Sequence, residues 1–230
     1  ALAAIDVAAD TDPAPDLVLL PAFRDVVDTL AGDATLCEDV HGQTTAGCGH
    51  RARTWGIFVA LGMAARGPER PYLTSVLMDR DGDIRLAQRQ VCLDASASEV
   101  FDAGSGHETA DILLGRMGLL VGDDLFDAEA WDAVVKNGAQ VVLGSACWAV
   151  PHSGGKSGGV VRSRIAELWC AVADATAGLA ETDLYIPGQS AIFSDTGQVV
   201  AAADAGATVT LRSDIPLADR PVARDGLEES

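Results

Sequence analysis

The chain has 230 residues, 48% of them hydrophobic, and a formal net charge of -18 from 34 acidic and 16 basic side chains. That length and apolar content suffice for one sizeable core, no apolar run is long enough to span a bilayer, and the negative charge repels nucleic acid and anionic membrane surfaces. The expectation is a soluble cytoplasmic protein without a signal peptide, and its five cysteines, an odd number, do not make a secreted disulfide framework.

Residues 1–9 predict a short apolar helix, and DTDPAP at 10–15 a turn-rich break. DLVLLPA at 16–22 reads as a buried parallel strand ending in proline. Residues 23–30 and 51–65 carry apolar positions at helical or strand spacing, with GIFVALGM at 56–63 as the next strand. Between them lie Cys37, His41, Cys48 and His50. These are ligand types for zinc, yet C-x3-H-x6-C-x-H matches no common zinc signature. Ordinary loop residues are the first reading; a Cys37 to Cys48 disulfide under oxidising conditions and a metal site are the alternatives.

Two strands at 72–79 and 84–93 are separated by Asp81-Gly82, a strong hairpin signal. The apolar run 117–121 reads as a buried strand that stops at Gly122, Asp123 and Asp124, after which helical periodicity runs over 128–135. Such a strand-to-helix elbow can lift a nucleophile out of a sheet, but the elbow position here is glycine. Another parallel strand is expected within 138–148, then a loop at 151–159 whose glycines lack phosphate-loop spacing. A helix running into a strand over 160–174, a hairpin at 185–197 and alternating final strands over 199–211 complete one domain, 1–213. Residues 214–230 read as a polar tail, disordered or docking.

Taken together, these segments resemble the nitrilase superfamily, the carbon-nitrogen hydrolases, from about residue 16 to 212. GLLVGDDLFDAE at 118–129 is similar to G-x-x-x-C-Y-D-x-R-x-P-E, with Gly118, Asp124 and Glu129 matching and the nucleophilic cysteine falling on Gly122. DLVLLPA resembles D-L-V-x-x-P-E, placing the general-base glutamate on Ala22. QRQVCL at 88–93 resembles Y-R-K-x-H-L, placing the oxyanion-binding lysine on Gln90. EVFDAG keeps the supporting glutamate of E-x-x-x-P-G as Glu99, and Trp148 stands where the family has tryptophan. Arg164 and Glu167 match R-A-x-E, with Leu168 replacing the asparagine that follows; Gly188, Ser190 and Gly197 match the late hairpin, with Asp195 at its proline.

The resemblance implies a four-layer α-β-β-α sandwich, nitrilase-like, that dimerises through helices near Glu129. The family's first strand is apparently missing, being truncated, lost or supplied by another chain. A thiolate attacks the C–N carbon, a carboxylate takes its proton and a cation holds the developing oxyanion. Ala22, Gln90 and Gly122 supply none of these. The expected function is a catalytically inactive scaffold, a partner of itself or of an active homologue, or a binder of a small molecule in an enlarged, less polar pocket, without cofactor. The alternative is an enzyme of altered chemistry, or a C–N hydrolase acting on amides or nitriles. It would use Glu99 with Asp123, Asp124, Cys92 or Cys147, or a metal on the Cys37 to His50 loop. Gln90 and Cys92 are expected to share a strand face toward the pocket, both cysteines reading first as small buried hydrophobes. Asp124 is read as a structural elbow cap.

Overall fold

The computed structural model describes residues 2–22, 37–148, 150–151, 168–178 and 184–217. Its first sheet has the order β1-β2-β3-β4, built from β1 (Leu17–Ala22), β2 (Phe58–Ala65), β3 (Tyr72–Met78) and β4 (Ile84–Arg89). β1 and β2 are parallel, and the β3-β4 hairpin closes at Gly82, whose φ of 80° favours glycine. The second sheet has the order β13-β12-β9-β7-β6-β5, from β5 (Thr109–Ile112), β6 (Gly115–Val121), β7 (Val141–Ala146), β9 (Trp169–Asp174), β12 (Ala191–Phe193) and β13 (Val199–Ala202). β6, β7 and β9 run parallel. A small third sheet joins β8 (Val150–Pro151), β10 (Thr176–Gly178) and β11 (Leu184–Pro187).

The two large sheets face each other through Phe58, Ala60, Leu77 and Leu86 on one side and Met117, Leu119, Val141 and Leu143 on the other. Both faces of β2 and β7 are therefore buried, which is why their sequences read as continuous apolar runs. The outer face of the first sheet packs Val59, Leu61, Met63 and Val76 against α1 (Leu2–Ala9) and α2 (Gln43–Trp55). The outer face of the second packs Leu120, Val142 and Val172 against Trp131 and Val134 of α4 (Ala128–Lys136). Four layers, α-β-β-α, result.

Where the sheets come nearest the residues are small: a Cβ on Gly62 would sit 2.9 Å from Cβ of Ser145 across the interface. There the buried hydroxyls of Ser75 and Ser145 meet at 3.2 Å, and Ser75 also donates to the Leu61 carbonyl. Two polar side chains thus enter the core with partners, as burial demands.

Three expectations change. The segment expected to be a loop at 37–50 is helical from Gln43 onward. Gly47 and Gly49 are poor helix formers, yet a Cβ at Gly49 would lie 2.7 Å from the Gly82 carbonyl, so close approach to the hairpin selects glycine over propensity. Cys37 and Cys48 are thiols in separate core clusters, and among the described residues no group of three potential ligands is placed to hold a metal. Alternation over 199–211 yields a strand only to Ala202, because the chain turns at Gly206 with φ 75° and leaves the sheet. Ile215 and Leu217, placed in a polar tail by sequence, pack against the inter-sheet core. The expected helix at 160–167, with Arg164 and Glu167, and the rest of the tail lie outside the described residues.

Candidate functional site

The elbow closes β6 with Gly122 at φ 52°, opening a short 3-10 turn, Gly122–Phe126, and then α4. Gln90 follows β4 directly, and its chain is held by N–H donation to the Leu73 carbonyl at 2.8 Å and acceptance from Gly104 at 2.7 Å. These two positions touch: a Cβ built on Gly122 would lie 2.5 Å from Oε1 of Gln90. The Gln90 side chain is buried, donates through Nε2 to the Cys92 carbonyl at 2.6 Å, and leaves Oε1 buried without a partner among the described residues. The glutamine amide therefore fills the space that a side chain at 122 would need, in place of the enlarged pocket expected.

Ala22, at the end of β1, packs with Ala64, Ala97, Phe101 and Cys147. The pairing of Val121 with Ser145 puts Gly122 and the start of the Cys147 segment at the same end of neighbouring strands. Ala22, Gln90 and Gly122 thus come to one end of the sandwich. Glu99 does not join them; it is exposed on α3 (Ala97–Val100), a single turn at the surface.

Asp124 is fully buried. Its carboxylate accepts from the backbone N–H of Cys92 at 2.8 Å and of Val91 at 3.0 Å, so it pins the segment after β4 to the elbow. Burial raises its pKa, against which those N–H donors and the charge of His107 act. Asp123 is also raised, first by burial and then by the charges of Asp94 and Asp124.

Cys92 lies beyond the end of β4, so strand alternation does not govern it, and its thiol donates to the Asp127 carboxylate at 2.8 Å. Burial, then Asp127 and Asp124, push that thiol up to about 12, leaving it protonated at neutral pH. Cys92 is accordingly expected to resist iodoacetamide at pH about 8, where an unperturbed thiol near 8.5 reacts readily. Peptide mass spectrometry of the folded chain reads this directly, and rapid selective labelling of Cys92 would refute it. Cys147 is half-buried.

Sequence reading missed a polar group at the ends of β7 and β9. Asp174 accepts from Gln189 N–H at 3.0 Å and Trp148 N–H at 3.4 Å, and Ser190 Oγ accepts from Asp174 N–H at 3.0 Å. The Trp148 ring rests on Phe126 with centroids 4.7 Å apart. Nothing in the local sequence marks Asp174; only the strand order brings it beside Trp148. Burial raises Asp174 from 3.8 to about 6, outweighing those two donors. Its contribution to stability is therefore complete below pH about 4 and lost as pH rises through about 6. Asp174→Asn removes this titration and is expected to flatten the dependence of melting temperature on pH between about 4 and 7. An unchanged slope would show that Asp174 does not titrate there.

A carbon-nitrogen hydrolase family model matches residues 1–224. No curated protein sequence matches the chain. Among solved structures, a carbon-nitrogen hydrolase from Helicobacter pylori is similar at TM-score 0.73 and 15% identity, covering 88% of this chain and 78% of that one. A cysteine-to-alanine mutant of a Nesterenkonia amidase from the nitrilase superfamily is similar at 0.70 and 22% identity, covering 89% and 80%. A second form of that amidase, carrying acrylamide added at its active-site cysteine, gives 0.72 and 21% identity, covering 88% and 81%. At these identities the likeness is one of fold.

Proposed function

The chain belongs to the carbon-nitrogen hydrolase family, and from that premise we propose that it keeps the sandwich without thiol-dependent C–N cleavage. It acts instead as a binding or partner subunit. The observation that carries this reading is the contact between Gln90 and Gly122, since the place of a nucleophile is taken by a neutral amide. Ala22 cannot accept a proton, and Gln90 offers a hydrogen bond without the positive charge that stabilises an oxyanion most strongly. Assembly as a homodimer, or with an active homologue, belongs to the same proposal.

A second reading, a hydrolase acting on amides or nitriles, is supported by the family match and by the Nesterenkonia amidase among the neighbours. Glu99 is exposed and the Cys92 thiol donates to Asp127, so that reading falls to Cys147 as nucleophile, which packs with Ala22 at the end of the sandwich that carries Gly122. Ammonia release from acetamide, acrylamide, glutamine and benzonitrile separates the two. The first reading expects no release above buffer and no mass gain at any cysteine after acrylamide. Saturable release that disappears in Cys147→Ser would overturn it.

A further inference from the structure

A hollow of about 330 Å3 opens away from the elbow, lined among others by Asp39, Arg66, Tyr72, Thr74, Arg89 and Glu108. Its strand residues lie on the outer face of the first sheet: Thr74 pairs with Arg89 and Val76 with Ala87, and Val76 packs toward α1 and α2. The volume is at the lower end of small-molecule sites, roughly 300–1,000 Å3.

Charges of both signs line this hollow. Arg51, Arg70, Arg80, Arg85 and Arg116 each lie within ion-pair distance of an aspartate. Among the described residues Arg66 and Arg89 do not, nor do Arg53, which donates to the Asp81 carbonyl, and Arg212, which donates to Thr11 and Pro13; of these four only Arg66 and Arg89 line the hollow. Both guanidiniums are held in place by other means. Arg89 stacks 4.0 Å over the Tyr72 ring, and Arg66 donates from Nη2 to the Cys37 carbonyl at 2.9 Å. A stacked guanidinium keeps its N–H edge available in the ring-parallel plane, the arrangement that grips a planar carboxylate. Thr74 is 2% exposed, so a buried hydroxyl lies in the lining. The exposed carboxylates of Asp39 and Glu108 share the same rim.

We propose that this hollow is a small-molecule site, which takes an amino acid as its zwitterion, the carboxylate on Arg66 and Arg89 and the ammonium on Glu108 and Asp39. Two cationic and two anionic groups around one small cavity match a ligand of both signs and no net charge. A phosphate dianion would meet the rim carboxylates and the field of a chain at -18. Ala22, Gln90 and Gly122 are not among its lining residues.

The test is a titration of the full chain, reading the Nε–H signals of Arg66 and Arg89 by NMR, with each of the twenty common L-amino acids and with acetate, methylammonium and inorganic phosphate. At least one amino acid is expected to shift both signals saturably, and to bind about tenfold or more tighter than acetate, since acetate forgoes the charged contact at the rim. Arg89→Gln is expected to weaken binding by a similar factor. Glu108→Gln, a surface change that leaves the fold alone, is expected to weaken the amino acid severalfold and to leave acetate unchanged, Asp39 keeping part of the ammonium contact. The absence of a saturable shift with any amino acid would overturn the proposal. So would phosphate or acetate binding as tightly as the best amino acid, or affinity unchanged in both variants.

Discussion

Gly122→Ala is expected to destabilise the chain by about 3 kcal/mol, combining backbone strain with overpacking of roughly 1–3 kcal/mol each. The strain arises because Gly122 sits at φ 52°, where a Cβ clashes with its own backbone. The overpacking arises because the new methyl would lie 2.5 Å from Oε1 of Gln90, which is buried and tethered to the Cys92 carbonyl. For a chain of this size the melting temperature should fall by about 6–12 °C. Adding Gln90→Ala removes the obstruction but leaves the strain. The pair should therefore be non-additive, the double variant being about 1–2 kcal/mol more stable than the sum of the singles predicts. Additive losses, or a neutral Gly122→Ala, would mean that the amide does not occupy the elbow. The same contact explains why Gly122→Cys alone is not expected to create activity: the thiol would compete with Gln90 for space and find no proton acceptor at Ala22.

Asp124→Ala should cost about 3 kcal/mol, because it strands the Val91 and Cys92 amides inside the protein at roughly 1–3 kcal/mol each, less the burial cost the carboxylate no longer bears. Asp124→Asn keeps one oxygen and should cost less, about 1–2 kcal/mol. Urea denaturation, read as the midpoint at constant slope, checks both. An alanine variant as stable as the parent would contradict the structural role assigned to this carboxylate. The segment carrying Gln90 should also loosen in the alanine variant, since Asp124 is what ties it to the elbow.

Much of the scaffold was legible in the residues. The strands at 17–22, 117–121 and 141–146 are short apolar runs between turn signals, and the hairpin at Asp81-Gly82 and the helix after Asp127 carry their own local chemistry. Asp127 caps that helix by accepting from Glu129 N–H, and the elbow at Gly122 stands where the pattern placed it. The helix at 43–55 was not legible, because its glycines argue against a helix unless one knows that the Gly82 turn lies against them.

The candidate site divides along the same line. Which side chains stand at positions 22, 90 and 122 is a property of the sequence, and so is the absence of sulfur, carboxylate and cation there. That Gln90 fills the elbow, that Asp124 serves the backbone after β4, that Cys92 is bound to Asp127 and that Glu99 points to solvent were decided by tertiary structure. The reason is range. Periodicity and turn chemistry act between residues a few positions apart, and a sequence records them directly. The contacts of Gln90 with Gly122, of Asp124 with the Cys92 amide and of Cys92 with Asp127 each join residues about thirty positions apart, and only the tertiary fold brings them together.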